Sequence, residues 1–521
     1  MKKKTVSFLT LMAVYLLLAL LLMLFEERNP DSEIKNYGDA LWYSVVTMST
    51  VGYGDMTPST FAGKIVGLIF VLCSVGVLTS MISLGLRFIG GTLIPRARLW
   101  MNKNRVWYAF HEWNADTAAL ANALSLEQAD CMVICPDTAH ELSEAHNIVR
   151  LPPDASELVR LRGKAEGFSL FFMSAEPGEN YACAFAAASR GILSYCMGEL
   201  RPEALPERLR LFNCPDAVSR KYWDEHPLLD TEHCVVLIGN GRFCTNLLER
   251  ALLNNVFITE RAVAYHLFGN CQFFSDLHPE IVKALAASSE GGDRLILHEE
   301  PWTAARELLL GADRIVLCED EDGNNLASFE LLRSWYVSGA AIHIRLDAAI
   351  PGLPCFGDKT EILTPKYVLQ DELNKRAVLM NDIYNEGSPN PTAWRDLSPF
   401  LQMSNIAAAD HLLVKARCLL NDETLTDLDG DDFARAYARY LEQNLDRADQ
   451  FQEMEHRRWI RFYQMYNWQY APKRDNALRR HPLLLPYAQL SKEDQAKDAY
   501  AWVMLGKLAE RYRADQRGGQ T

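Results

Sequence analysis

Asp39-Ala-Leu-Trp-Tyr-Ser-Val-Val-Thr-Met-Ser-Thr-Val-Gly-Tyr-Gly-Asp55 lies between two long apolar runs, Thr5–Phe25 and Ile65–Leu86. These are 21 and 22 residues long, the first without a charge, and about 20 helical residues cross a bilayer core. Two spans and a bilayer are therefore expected, with a re-entrant segment between them. Asp39–Ser49 is long enough for a short helix. The five residues after it carry two glycines, which permit backbone angles that a side chain forbids. Irregular backbone at membrane depth survives only where it lines protein or water.

Thr50-Val51-Gly52-Tyr53-Gly54 matches the selectivity-filter motif of potassium channels, which is recognised here rather than derived. Residues 1–99 resemble the pore of two-span potassium channels. The resemblance implies main-chain carbonyls that replace the hydration shell of K+, with Thr50 adding the innermost oxygens. One chain supplies part of each oxygen ring, so a homotetramer is implied. Trp42, Tyr43 and Tyr53 would form an aromatic cuff, and Trp42 is placed to donate to Asp55. Val46 stands where some relatives carry a carboxylate. A chance Gly-Tyr-Gly turn in an outer loop is the bland alternative. Gly76, near the middle of the second span, is the hinge candidate, although small residues serve close helix packing equally well. Gly90-Gly91 reads as a joint between the pore and the rest of the chain.

Basic residues set the orientation. Lys2–Lys4 precede the first span, and Arg87, Arg96, Arg98, Lys103 and Arg105 follow the second, which places both termini in the cytoplasm of a multi-pass inner-membrane protein. A cleaved signal is disfavoured, because the apolar run is long and Phe25-Glu26-Glu27 offers no small-residue cleavage site. The connecting segment is acidic (Glu26, Glu27, Asp31, Glu33, Asp39) and would concentrate cations at a pore mouth. A net charge of −14 argues against nucleic acid as partner. The twelve cysteines are scattered and read as reduced thiols. No arginine-rich span supports voltage gating.

After Arg105 short apolar runs alternate with amphipathic stretches. Val106–Phe110, Cys131–Cys135 and Ser169–Met173 read as buried strands, as do Cys234–Ile238, Ala262–His266, Arg314–Cys318 and Ala341–Leu346. That alternation predicts a parallel sheet covered by helices. Pro177-Gly-Glu-Asn-Tyr-Ala-Cys-Ala-Phe recurs 145 residues later as Asp322-Gly-Asn-Asn-Leu-Ala-Ser-Phe, which points to a duplication. The repeated unit resembles the RCK (TrkA-N-like) ligand-binding domain, a Rossmann-like α/β fold, in copies at 104–226 and 231–372.

In the second copy Gly239, Gly241 and Arg242 follow a strand and open a helix, the arrangement that cradles a diphosphate. They are the nucleotide-binding candidates, against a turn kept for packing. Cys244 replaces the third glycine, and His266 stands where an acidic residue would hold a ribose. The first copy has His111, Trp113 and Asp116 there, too bulky for a diphosphate. Glu319–Asp322 is either a calcium edge or, preferably, a solvated loop. Asp427–Gly430 fails EF-hand spacing.

From about Leu373 helical periodicity takes over, giving a connector over 373–448. The ordered set Glu455-His456-Arg-Arg-Trp459, Trp468-Gln-Tyr470, Arg474 and His481-Pro482 to Tyr487 resembles the RyR domain over 449–521, with Asn467 at a usual glycine. Trp459, Trp468, Tyr470 and Tyr487 would wall a flat pocket, with Arg474 and His481 supplying positive charge for a nucleotide-type ligand. Packed core aromatics are the alternative. The sequence reads as a ligand-gated potassium channel and not an enzyme, with no metal besides K+ in the filter. A non-conducting, membrane-tethered nucleotide sensor is the rival, and an NAD-dependent oxidoreductase is disfavoured for want of a catalytic constellation.

Overall fold

The computed structural model describes residues 2–128, 130–136, 145–164, 166–200, 202, 204–258, 261–286, 292–335, 339–386 and 388–518, with side chains between 13 and 514. Two compact units are present. The first comprises residues 1–105 with 134–137 and 149–164, and the second the remainder.

In the first unit α1 spans Lys2–Glu26, α2 Tyr37–Met48 and α3 Phe61–Phe88. The helix continues through a π turn, Ile89–Leu93, into α4, Ile94–Met101. Among the described residues, Phe61–Met101 is the one helix long and apolar enough to cross a membrane, and the apolar part described in α1 is Ala13–Glu26. Tyr15, Leu22, Ala40, Val66, Phe70 and Val77 form the core that joins α1, α2 and α3. Gly67 lets α3 approach, since a Cβ there would lie 3.1 Å from Pro58 and 3.3 Å from the Tyr43 hydroxyl. The expected joint at Gly90-Gly91 is not a break. Pro95, in the first turn of α4, lacks the amide that would close a regular turn, and a wider one absorbs the defect.

The second unit is built on two six-stranded sheets. The first contains β1 (Val106–Phe110), β2 (Cys131–Cys135), β3 (Ile148–Arg150), β4 (Phe168–Phe172), β5 (Leu193–Met197) and β6 (Leu209–Phe212), in the order 3-2-1-4-5-6; β2 and β3 lie partly within the first unit. The second contains β7 (Cys234–Gly239), β8 (Ala264–Gly269), β9 (Arg294–His298), β10 (Arg314–Leu317), β11 (Ala341–Arg345) and β12 (Cys355–Phe356). Its order, 9-8-7-10-11-12, is the same sequence of strands. Both are the doubly wound arrangement whose ligands bind at the carboxyl ends of the strands.

The repeated motif shows how deep the duplication runs. Asn180 Oδ1 accepts from Ser174 N (2.7 Å), and its Nδ2 donates to Ser174 O and Met197 O. Asn325 Oδ1 accepts from Glu319 N (2.9 Å), and its Nδ2 donates to Glu319 O and Arg345 O. Each asparagine ties the end of its fourth strand to the end of its fifth. Both are buried, and each amide satisfies backbone groups that would otherwise be orphaned.

Two sequence-based positions move. His266 lies inside β8, which runs on to Gly269, and its Nδ1 faces His298 Nε2 at 2.8 Å. Burial first, then His298, lowers the His266 pKa to about 4. The residue after the strand is Asn270, which donates to Gly241 O and Thr245 Oγ1. Second, the boundary drawn at 448/449 falls inside one helix, Gly430–Met465, kinked at Arg447. The segments on either side share one core, in which Trp502, Leu505 and Leu508 pack with Ala377, Met380 and Phe433. Connector and C-terminal module are one helical body.

Candidate functional site

The α2 helix starts from a capping box, with Asn36 Oδ1 accepting from Asp39 N and Asp39 Oδ2 from Asn36 N. Asp39 is thus a helix cap. Glu26 likewise leaves the acidic outer segment. Its buried carboxylate accepts from Ser59 N, Ser59 Oγ, Thr60 N and Thr60 Oγ1 at 2.7–3.1 Å, at the start of α3. Gly63 is needed for this approach, because a Cβ would sit 1.8 Å from Glu26 Oε1. Two of the five acids expected to attract cations are therefore structural.

The C-terminus of α2 leads into the filter segment, bringing the negative end of its dipole to residues 50–54. Thr50, Gly52 and Gly54 have φ of +58°, +57° and +74°, whereas Val51 and Tyr53 between them do not. A strand with uniform angles turns successive carbonyls to opposite sides. Alternating left-handed with ordinary residues aligns the main-chain dipoles instead. Glycine does this freely, but Thr50 does it at a cost of about 1–2 kcal/mol. Trp42 Nε1 donates to Asp55 Oδ2 at 3.0 Å, and the Trp42 and Tyr53 rings stack 6.3 Å apart. Tyr43 is placed elsewhere, edge-on to Phe70 and close to Gly67. The Tyr15 hydroxyl donates to Ser44 O at 2.7 Å. Through Gly76 α3 stays regular, and the departure from α-geometry comes at Ile89–Leu93.

In the second α/β copy the glycine loop is already filled. Asp320 accepts from Arg242 N and Phe243 N, each at 3.2 Å, at the start of helix Arg242–Asn254. Glu319 accepts from Asn240 N and Asn240 Nδ2. A carboxylate thus occupies the N-terminal amides that a phosphate would take. This corrects both readings of the region. Gly239, Gly241 and Arg242 do not present an empty cradle, and Glu319 and Asp320 are not a free solvated loop. In the first copy Asn114 caps helix Ala115–Glu127, and Asp116 pairs with Lys359 at 2.5 Å.

The six aromatic and basic residues of the C-terminal module separate. Trp468, His481 and Tyr487 are buried, each under a tenth exposed, whereas Tyr470 and Arg474 face outward. Trp459 packs 4.3 Å from Tyr463 and 5.0 Å from His481, and Phe400 closes on Trp468. Tyr487 donates to Gln452 at 2.9 Å. His481 Nδ1 accepts from Leu483 N, and burial, then Arg474, lowers its pKa to about 4. The expected cation is a neutral core imidazole. The half-buried Trp459 also lines a separate cavity of about 250 Å³ with Lys415, Glu455, Arg458, Lys497 and Asp498. Sequence reading passed over it, because Lys415 and Tyr384 lie on helices with no recognisable motif.

The family described as "Ion channel" matches residues 6–90. A voltage-gated potassium channel of Aeropyrum pernix is 44% identical over 64 residues, 12% of this chain and 22% of that protein. The calcium-gated potassium channel TvoK of Thermoplasma volcanium is 25% identical over 161 residues, 31% of this chain and 46% of its own length. Potassium voltage-gated channel subfamily A member 2 of Mus musculus is 53% identical over 55 residues, a tenth of each chain. The chain thus spans less than half the length of these relatives. The structure of GsuK bound to ADP aligns with 70% of this chain and 100% of that one, at 15% identity and a TM-score of 0.34. Through residues 6–90 the chain belongs to the ion-channel family, with potassium channels as its relatives.

Proposed function

We propose that four copies of this chain form a potassium-selective pore in the cell membrane, opened or closed by a ligand on its cytosolic body. The observation that carries this is the alternation of backbone hand at Thr50, Gly52 and Gly54, which costs energy at Thr50 and suits only a row of co-directed main-chain dipoles. Thr50–Gly54 would be the filter, Trp42, Tyr43 and Asp55 its support, and both termini cytoplasmic. Conduction needs no covalent chemistry, and K+ is the only ion assigned.

Gating requires a ligand with different affinity for two states of the body. Residues 88–105 connect span to body, and within the first unit Arg96 Nε donates to Glu157 Oε1 at 2.5 Å while Arg162 donates to Arg105 O. Movement of helix Ala155–Arg162 would reach α4 through these contacts. The π turn at Ile89–Leu93 joins Gly76 as a place where α3 can bend. The RyR-like module is the proposed sensor of a nucleotide-type ligand, because the glycine loop of the second copy is filled by its own carboxylate.

Purified protein in liposomes should pass K+ and exclude Na+ in a flux assay, and adding nucleotides to the cytosolic side should change the rate. A protein that runs as a monomer, or liposomes no leakier than empty ones under every condition, would sink the proposal.

A further inference from the structure

The cavity of about 250 Å³ in the C-terminal helical body lies among helices Lys375–Asn385, Pro399–Leu420, Gly430–Met465 and the segment Lys497–Ala501. Its floor is ionic and dry. The Lys415, Glu455 and Arg458 side chains are 1%, 7% and 4% exposed. Lys415 Nζ donates to Glu455 Oε2 at 2.7 Å, and Arg458 Nε and Nη2 both donate to Glu455 Oε1. Although burial pushes the Glu455 pKa up, Arg458 and Lys415 hold the carboxyl well below its ordinary range. One acid therefore faces two cations, and Arg458 Nη1 has no acceptor at all. A buried donor left unsatisfied costs about 1–3 kcal/mol, more when charged. Lys497 also lines the space, and Asp498 is drawn toward His456 at 3.3 Å.

The walls are aromatic. Tyr384 and Tyr500 lie 5.2 Å apart, tilted by 32°, and Trp459 completes the lining. Ser404 and Asn405 add neutral hydrogen-bonding groups. The volume falls near the lower end of the 300–1,000 Å³ usual for small-molecule sites.

We infer that this cavity is the ligand site of the C-terminal body, and that it takes a planar ring bearing one anionic group, of the mononucleotide class. The anion meets Arg458 Nη1 beside Lys415, and the ring lies among Tyr384, Tyr500 and Trp459. This rests on the reading of the body as a nucleotide sensor, but it moves the site off the packed Trp468–His481–Tyr487 cluster.

The test is calorimetric titration of the full-length protein in nanodiscs with AMP, GMP, CMP and UMP, against adenosine and inorganic phosphate. At least one mononucleotide should bind saturably, with its nucleoside and phosphate each tenfold or more weaker. Ala501→Trp, which fills the cavity without touching the buried charges, should abolish binding at an unchanged melting temperature. Arg458→Lys should weaken it at least tenfold, and Trp468→Phe should leave it intact. If none of the four binds, or binding survives Ala501→Trp, the cavity holds ordered water only and the inference fails. K+ flux from the same preparation is scored separately. Flux without binding overturns the site alone, whereas binding that never alters flux overturns the sensor reading.

Discussion

Asp320 holds its carboxylate so close to Gly241 that a Cβ on the glycine would lie 2.0 Å from Asp320 Oδ1. The glycine that would admit a diphosphate admits the chain's own acid instead. Asp320→Asn should weaken the start of helix Arg242–Asn254 by about 1 kcal/mol, since a charged acceptor at a helix N-terminus is worth about that much. Faster amide hydrogen exchange at residues 242–245 would register it. Unchanged exchange would mean that the carboxylate does not cap the helix.

Trp42 and Asp55 make a second close pair, at 3.0 Å. Trp42→Phe keeps a ring against Tyr53 but removes the donor. One hydrogen bond to a charged acceptor at a partly exposed site is worth about 1 kcal/mol, or roughly fivefold. The K+-to-Na+ flux ratio should fall by about that factor. An unaltered ratio would show that the bond does not shape the filter.

Glu26 is buried with four donors around one carboxylate. Glu26→Gln keeps the shape but loses the charge and turns one acceptor into a donor facing donors. A cost on the order of 2–3 kcal/mol is expected, seen as a lower melting temperature of the detergent-solubilised protein. Gly63→Ala should act in the same direction, through its clash with Glu26 Oε1.

Acid should loosen the C-terminal body through His481. Its folded pKa, about 4, lies below the ordinary 6.5. Between those values the unfolded chain takes a proton that the folded one refuses, so stability is complete above pH 6.5 and is lost as pH falls toward 4. The loss should be on the order of 2 kcal/mol. Thermal melts across that window should show the slope, and His481→Asn should flatten it. An equal slope in the variant would assign the effect to another group.

Where backbone chemistry is local, the sequence alone was decisive. A 22-residue apolar run can hardly do anything but form a long helix, and Gly52 and Gly54 announce left-handed backbone wherever the chain lies. Buried central strands such as Val106–Phe110 and Cys234–Gly239 are apolar throughout and read plainly. The recurrence of Pro177–Phe185 at Asp322–Phe329 likewise foretold two sheets of one topology, because the same asparagine closes each. Short edge strands such as β3 and β12 carry too few residues for a period to show.

Only the tertiary structure decided what met across long separations. Asp320 reaches Gly241 because β7 and β10 are neighbours in the sheet, an adjacency that spacing along the chain does not encode. His481 is neutral, and Trp468 is core, because burial sets whether an aromatic or an imidazole serves packing or a ligand. Residue type says what a side chain is able to do; its neighbours in space fix which of those things it does.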